Sequence, residues 1–389
     1  MELFVAPFVW PCLAPILGGA VFQALCVWAM LRFRRRPAPQ RPEAWPAVSV
    51  LKPVHGLEKN LRENLRTACL QDYPNFQVVF SVQRRDDPAI SLLREIEAEF
   101  GRNRVTVVVE ERNVGANEKI NNLVGALPHA RHDVLVLSDS DMRLESGYLK
   151  AIVAPLLDPE VGFVCTLYRA AEAGTWFEKL ELLSLNAEFI PSLVFAYETG
   201  ASDFCLGATT ALRRETLEKV GSFEALASHF VEDYELGRRI AKLGLRSALV
   251  PFIAETMVDL KTPRDWWNHQ VYWDQNTRSA RPLAFLSTIL VRPAPFVLLF
   301  AALRGGDAIG LGVLAASVAW RLVTSAAVLG RGLGDREGLR ALYLLPLRDL
   351  LGFVSWLAAL VQRRTRWRGE TLTLDADGRL LPKQDERVV

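Results

Sequence analysis

The stretch His132-Asp133-Val134-Leu135-Val136-Leu137-Ser138-Asp139-Ser140-Asp141-Met142 is where residue types and spacing first suggest chemistry. Apolar and β-branched residues that end in two carboxylates one residue apart predict a buried strand. It would deliver Asp139 and Asp141 to the carboxyl edge of a sheet, where open α/β sheets bind ligands. Such an Asp-x-Asp pair can share one Mg²⁺ or Mn²⁺, hard cations that take oxygen ligands and keep places for substrate phosphates. A nucleotide diphosphate is the natural ligand. The competing reading makes both aspartates solvated turn residues, since such triplets arise often by chance.

Three further polar clusters bear on that choice. Gly115 and the run Asn117-Glu118-Lys119 stand where a loop enters a helix, so backbone N–H groups and one ammonium could face a phosphate. Residues 204–213 are small and strand-like, with Gly207 and Ala208 allowing close approach of a ligand. Val231-Glu232-Asp233-Tyr234-Glu235-Leu236 leads into a helix predicted over 236–243. Capping and the helix dipole explain acidic residues at a helix start; Asp233 becomes a general base only if it lies across a cleft from Asp141. No Walker or Rossmann glycine fingerprint occurs, so a nucleotide would be held through carboxylates and metal.

The elements that must position these groups alternate. Residues 47–51 predict a strand, Leu57, Leu61 and Leu65 one face of a helix, and 78–82 a second strand. A helix near 89–100, a strand at 105–109, a helix near 119–127 and the Asp139 strand follow. This βαβ alternation implies a parallel sheet covered by helices.

Composition narrows the class. The chain has 389 residues, 46 basic against 44 acidic, and a formal net charge of +2, too small to suggest a nucleic-acid partner. Half of it is hydrophobic, which points to membrane segments. Cys12, Cys26, Cys69, Cys165 and Cys205 form no Cys-x-x-Cys pair and read as reduced, buried thiols. Residues 8–31 carry no charge and are long enough to cross a bilayer, and Arg32-Phe33-Arg34-Arg35-Arg36 follows at once. An uncleaved anchor with a cytoplasmic flank is expected, then a proline-rich linker over 37–46. Trp266, Trp267, Tyr272 and Trp273 suit a headgroup layer. Three apolar stretches follow, at 284–303, 308–329 and 339–361. Four full crossings would put the basic segment 362–368 outside, so one stretch should be re-entrant or interfacial; the prolines of 284–303 single it out.

Four motifs carry a resemblance. Ser81-Val82-Gln83-Arg84-Arg85-Asp86-Asp87-Pro88-Ala89-Ile90, Asn113-Val114-Gly115-Ala116-Asn117-Glu118-Lys119-Ile120-Asn121-Asn122-Leu123, Ser138-Asp139-Ser140-Asp141 and Val231-Glu232-Asp233-Tyr234 resemble, in order and spacing, the motifs of ceramide glucosyltransferases. These belong to glycosyltransferase family 21, membrane-bound enzymes with a GT-A fold. The similarity runs from about 48 to 281, with a looser match at 365–369. The family signature, three separated aspartates followed by (Gln or Arg)-x-x-Arg-Trp, falls on Asp86 or Asp87, on Asp139 with Asp141, on Asp233 and on 269–273. The last match is imperfect, since His269 and Tyr272 replace the expected Gln or Arg, and Arg.

The resemblance implies an α/β GT-A domain with an N-terminal transmembrane helix and C-terminal membrane helices. The expected divisions are an anchor and linker at 1–46, a cytosolic catalytic domain at 47–265, an interfacial segment at 266–283, membrane helices at 284–363 and a cytosolic tail at 364–389. It implies inverting transfer of glucose from UDP-glucose to ceramide or a similar lipid in a bacterial inner membrane. Asp233 would be the base, and Asp139 and Asp141 would hold Mg²⁺ or Mn²⁺. Donor contacts would come from Asp86, Asp87, Lys119, Asp139, His269, Trp273 and Arg278, with Arg281 a further candidate cation. The sister expectation is transfer of N-acetylglucosamine to a hopanoid, and that of another class a non-catalytic scaffold or lipid carrier. A processive polysaccharide synthase fits poorly, because three or four apolar segments are few for a translocation channel.

Overall fold

The computed structural model describes residues 9–37, 42–202, 204–362, 364–367, 370–373 and 379–380. The middle of the linker and most of the tail lie outside them. The chain forms two compact units, one of 37–168, 200–259 and 372–389, the other of 1–36, 169–199 and 260–371. The stretch 169–199, placed by sequence within the 47–265 domain, therefore groups with the second unit.

The first unit is built on an eight-stranded sheet of order β3-β2-β1-β4-β7-β6-β8-β5. Its strands are β1 (Val48–Pro53), β2 (Phe76–Val82), β3 (Val105–Val109), β4 (Val134–Ser138), β5 (Met142–Arg143), β6 (Val161–Ala171), β7 (Thr209–Arg213) and β8 (Arg246–Met257). β1, β2, β3 and β4 run parallel, and β7 pairs antiparallel to β4. Every residue of β1, β2 and β4 is buried, which is why their sequences read as unbroken runs instead of alternating. Helices Leu61–Cys69, Ala89–Phe100 and Glu118–Ala126 make the crossovers. Ala89, Leu93 and Ile96, spaced for one helical face, are fully buried; Leu93→Ala would cost roughly 2–5 kcal/mol. Leu57 falls before the first of these helices and is exposed. Of 204–213, only Thr209–Arg213 is strand. Because the parallel strands point one way, the loops after Pro53, Val82, Val109 and Ser138 gather at one edge.

The second unit is helical. Among the described residues, Trp10–Arg34, Trp176–Glu198, Ala308–Leu333 and Arg336–Val361 are long and apolar enough to span a bilayer, while Pro282–Val291 and Ala294–Leu303 form a pair bent by 46°. The helix at 176–198 was not expected from the sequence, because Glu178, Glu181, Glu188 and Glu198 interrupt it. Each is compensated. Glu178 closes a capping box with Thr175, and Glu181 accepts from Gln270 Nε2 at 2.6 Å. Glu188 pairs with Arg292 and Arg348, and Glu198 with Arg32 and Arg36.

β6 precedes 176–198 and β7 follows it, and the two strands pair with each other. Residue 379 bridges to His229 and the Leu380 N–H donates to Ser228 O at 3.0 Å, which joins these tail residues to the sheet-bearing unit. The break at Arg292-Pro293 between Pro282–Val291 and Ala294–Leu303 has the form of a broken span or a re-entrant loop.

Candidate active site

Asp139 follows β4 directly, and the turn it opens is pinned from several sides. The Lys52 ammonium, fully buried on β1, donates to Ser138 Oγ at 3.0 Å and to Asp139 O at 2.7 Å. Burial pulls this amine down to about 8 against the raising charges of Asp141 and Asp139. Ser140 Oγ donates to Glu58 Oε2 at 2.6 Å. Asp141 O accepts from Met257 N and Asn64 Nδ2, and Asp141 Oδ2 accepts from Thr256 Oγ1 at 2.9 Å. The carboxylates are thus held on a fixed backbone at the sheet's edge, unlike solvated turn residues.

Lys119 organises the next layer. Its ammonium stands 2.8 Å from Asp139 Oδ1 and 3.4 Å from Glu232 Oε1, and donates to Gly207 O at 3.0 Å. Burial opposes its charge, but Asp139 and Glu232 outweigh burial and raise its pKa above the ordinary lysine value. Asp233 lies in the first turn of helix Glu232–Lys242, four residues earlier than sequence suggested for that helix. Its Oδ2 accepts from Gly207 N at 2.8 Å and its Oδ1 from Tyr234 N at 2.7 Å. Burial and the neighbouring Glu232 charge push it up to about 7, against the opposing pull of Lys119 and those two N–H groups. A carboxyl tuned near neutrality suits proton abstraction.

Gly207 allows this approach. A Cβ there would lie 2.9 Å from Asp233 Oδ2 and 3.2 Å from Lys119 Nζ. The close neighbour is therefore the protein's own carboxylate. Tyr168, buried on β6, feels the charges of Asp233, Asp139 and Asp141 together, and with burial they raise its phenol well above the usual range. The three aspartates thus share one locality.

The 113–123 motif proves architectural, contrary to the expectation of free N–H groups facing a phosphate. Asn121 Oδ1 accepts from Val114 N and Gly115 N, and Asn121 Nδ2 donates to Gly115 O. Asn117 caps the helix through Ile120 N and donates to Glu232 Oε2 at 3.2 Å. A Cβ on Gly115 would lie 2.5 Å from Ala227 O. The motif therefore fixes Lys119 and Glu232. Glu235 is structural: burial would raise it, but Arg238 and Arg239 draw it down to about 2.

The two aspartates after β2 divide their tasks. Asp87 is buried and accepts from Gly56 N and Ala89 N, which joins the first loop to the second. Asp86 is exposed and pairs with Arg84 at 2.8 Å.

The 269–278 residues lie on helix Pro263–Ala280 of the helical unit. His269 Nδ1 stands 2.9 Å from Glu181 Oε1, while Trp273 Nε1 donates to His269 Nε2 at 3.0 Å. Both ring nitrogens thus have partners within the helical unit. Arg278 donates to Leu360 O at 3.0 Å and Gln362 O at 2.9 Å, where it satisfies the carbonyls of a helix end. Trp266 is buried against Phe177 and Leu180, not spread at a surface.

The donor set fits a hard divalent ion. Two carboxylates one residue apart offer oxygen only, and among the described residues no cluster of three or more His, Cys, Asp or Glu makes a self-sufficient cage. Such a pair is what Mg²⁺ or Mn²⁺ uses when a substrate diphosphate supplies further ligands. Sequence reasoning missed Lys52, Glu58 and Thr256. A lysine within an otherwise apolar strand was the available signal for Lys52, because an unpaired buried ammonium is costly.

Comparison with known proteins places the chain in a family. Ceramide glucosyltransferase 1 of Caenorhabditis elegans is 23% identical over 206 residues, 52% of this chain and 44% of that protein. A ceramide glucosyltransferase of Gibberella zeae is 29% identical over 177 residues, 39% of this chain and 34% of that one. The matches thus span less than half the length of those relatives. A mannosyltransferase from Pyrobaculum calidifontis, solved with GDP-Man and Mn²⁺, superposes over 91% of this chain and 99% of its own with a TM-score of 0.54 at 21% identity, which shows a shared GT-A-type fold. The model of Glycosyl transferase family 21 matches residues 12–380, so the chain belongs to glycosyltransferase family 21.

Proposed function

We propose that this protein transfers glucose from UDP-glucose to the hydroxyl of a ceramide-type membrane lipid, with inversion, on the cytoplasmic side of a bacterial inner membrane. The observation that carries the reading is Asp233, held by Gly207 and Tyr234 N–H groups beside Lys119 and Asp139, with its proton affinity raised to near neutrality. Names of the curated relatives support a ceramide acceptor, and the GDP-Man and Mn²⁺ of the mannosyltransferase support a nucleotide-sugar donor with a divalent ion.

In this mechanism Asp233 takes the proton from the acceptor hydroxyl as that oxygen attacks C1 of the sugar. The C1–O bond to the diphosphate breaks, and its electron pair leaves with UDP. A single displacement turns an α-linked donor into a β-glycoside and needs one base. Asp139 and Asp141 would hold Mg²⁺ or Mn²⁺, which when bound neutralises charge developing on the leaving diphosphate. Lys119 adds a fixed positive charge beside Asp139. Asp87 orders the neighbouring loop, and Asp86 or Asp87 contacts the uridine.

The test pairs two donors with two acceptors. Purified protein is incubated with labelled UDP-glucose or UDP-N-acetylglucosamine, plus ceramide or a hopanoid, and the lipids are weighed by mass spectrometry. Glucosylceramide as the main product supports the reading. An N-acetylglucosaminyl hopanoid replaces it with the sister activity, and no glycolipid from any pair defeats both.

A further inference from the structure

The helical unit contains a cavity of about 170 Å³ whose walls include Phe22 and Gln23 of the first helix and Ser325 of helix Ala308–Ala327. Most of the polar groups around it are internally satisfied. Ser192 Oγ donates to Glu188 O and Thr324 Oγ1 to Trp320 O. Arg321 forms a two-pronged pair with Asp349 at 2.8 and 3.1 Å, Arg292 pairs with Glu188 and Asp274, and Arg348 pairs with Glu188 and Asp349. Three guanidiniums meet three carboxylates, so the cluster leaves no net charge to attract an anion.

Two groups break this pattern. Gln23 Oε1 and Ser325 Oγ are buried without a hydrogen-bond partner among the described residues, their side chains belong to residues only 9% and 1% exposed, and both residues line the cavity. Both sit on helices long and apolar enough to span a bilayer. At such a depth an unsatisfied polar group is costly, and polar side chains there mark ligand paths.

We infer that this cavity binds the uncharged amide-and-hydroxyl head of a membrane lipid, with Gln23 and Ser325 as its hydrogen-bonding partners. An amide or hydroxyl both donates and accepts, as the Gln carboxamide and Ser hydroxyl do. The volume suits a head group and not two acyl chains. The balanced charge selects against a phosphate, whose negative charge would meet Glu188 and Asp349 as well as the arginines. The inference rests on the lipid-acceptor reading above and goes beyond it by giving the acceptor a holding site within the helical unit.

The experiment uses full-length protein in nanodiscs, comparing wild type with Gln23→Leu, Ser325→Ala and the double variant. Each receives a diazirine-bearing ceramide, with unlabelled ceramide or phosphatidylglycerol as competitor. The expected result is crosslinking to 13–34 and 308–327, displaced by ceramide and not by phosphatidylglycerol, and reduced roughly tenfold in the double variant. The same variant should raise the acceptor KM about tenfold while UDP affinity and kcat at saturating acceptor stay unchanged. Unaltered labelling and KM would overturn the inference, as would a changed thermal midpoint with no change in acceptor KM, the mark of a structural water site. Displacement by phosphatidylglycerol as effective as by ceramide would overturn the choice of a neutral head. Variant-sensitive labelling in a protein that glycosylates no lipid would keep the cavity assignment and defeat the transferase reading. Transfer insensitive to both substitutions would do the reverse.

Discussion

Replacing Asp233 with Asn separates the chemistry of this carboxylate from its cost to the fold. The change is nearly isosteric, but the side chain then has one oxygen to meet two donors, Gly207 N and Tyr234 N. One buried N–H faces an amide NH₂, a loss of about 1–3 kcal/mol. Against this stands relief of burial. A rise from 3.8 to about 7 in the folded state corresponds to roughly 4 kcal/mol, as an upper bound. The sign follows from proton binding. Between pH 4 and 7 the folded wild type holds a proton that the unfolded chain has released, so wild-type stability is lost as pH rises through this window. The variant feels none of that loss. Its apparent Tm should fall below wild type near pH 4 and equal or exceed it at pH 8. Turnover should drop by on the order of 10²-fold or more at pH 8, with UDP binding retained, and the gap should narrow below about pH 7 as wild-type kcat/KM falls, because the base must be ionised. Near-normal turnover would remove Asp233 from the mechanism. A Tm deficit of equal size at pH 4 and pH 8 would refute the burial argument.

Other perturbations test the surroundings of that carboxylate. Asp141→Ala should weaken UDP-sugar binding only when Mn²⁺ or Mg²⁺ is present, by titration calorimetry, and equal affinity in both proteins with metal would exclude the pair as the cation's holder. Gly207→Ala puts a methyl 2.9 Å from Asp233 Oδ2, so kcat should fall at least tenfold with little change in Tm; unchanged kcat would show that the spacing is slack. Lys52→Met removes the donor beneath Ser138 and Asp139, and donor KM should rise roughly tenfold, whereas an unaltered KM would make the lysine a packing residue.

The sheet and its carboxylate-bearing edge were legible because their signals are local. An apolar run that stops at Asp139, and helical spacing at Leu93 and Ile96, follow from burial alone. What was not legible depends on partners distant in sequence. Lys52 meets Ser138 and Asp139 across 86 and 87 positions. The 176–198 helix hides behind glutamates whose compensating arginines come from residues 32, 36, 292 and 348. Gly115 and Asn121 advertised a loop entering a helix, but only the fold reveals that the loop's N–H groups are consumed by Asn121. His269 and Arg278 looked available in sequence, and tertiary contacts with Glu181, Trp273 and the end of helix Leu345–Val361 occupy them.

The central claim is that Asp233 drives a single displacement onto a lipid hydroxyl. It is tested most directly by the anomeric configuration of the glycolipid formed from α-linked UDP-glucose, read by NMR, in wild type and in Asp233→Asn side by side. A purely β product from wild type, with none above background from the variant, is the expected result. An α product, or β-glycolipid formed equally fast by the variant, would contradict it.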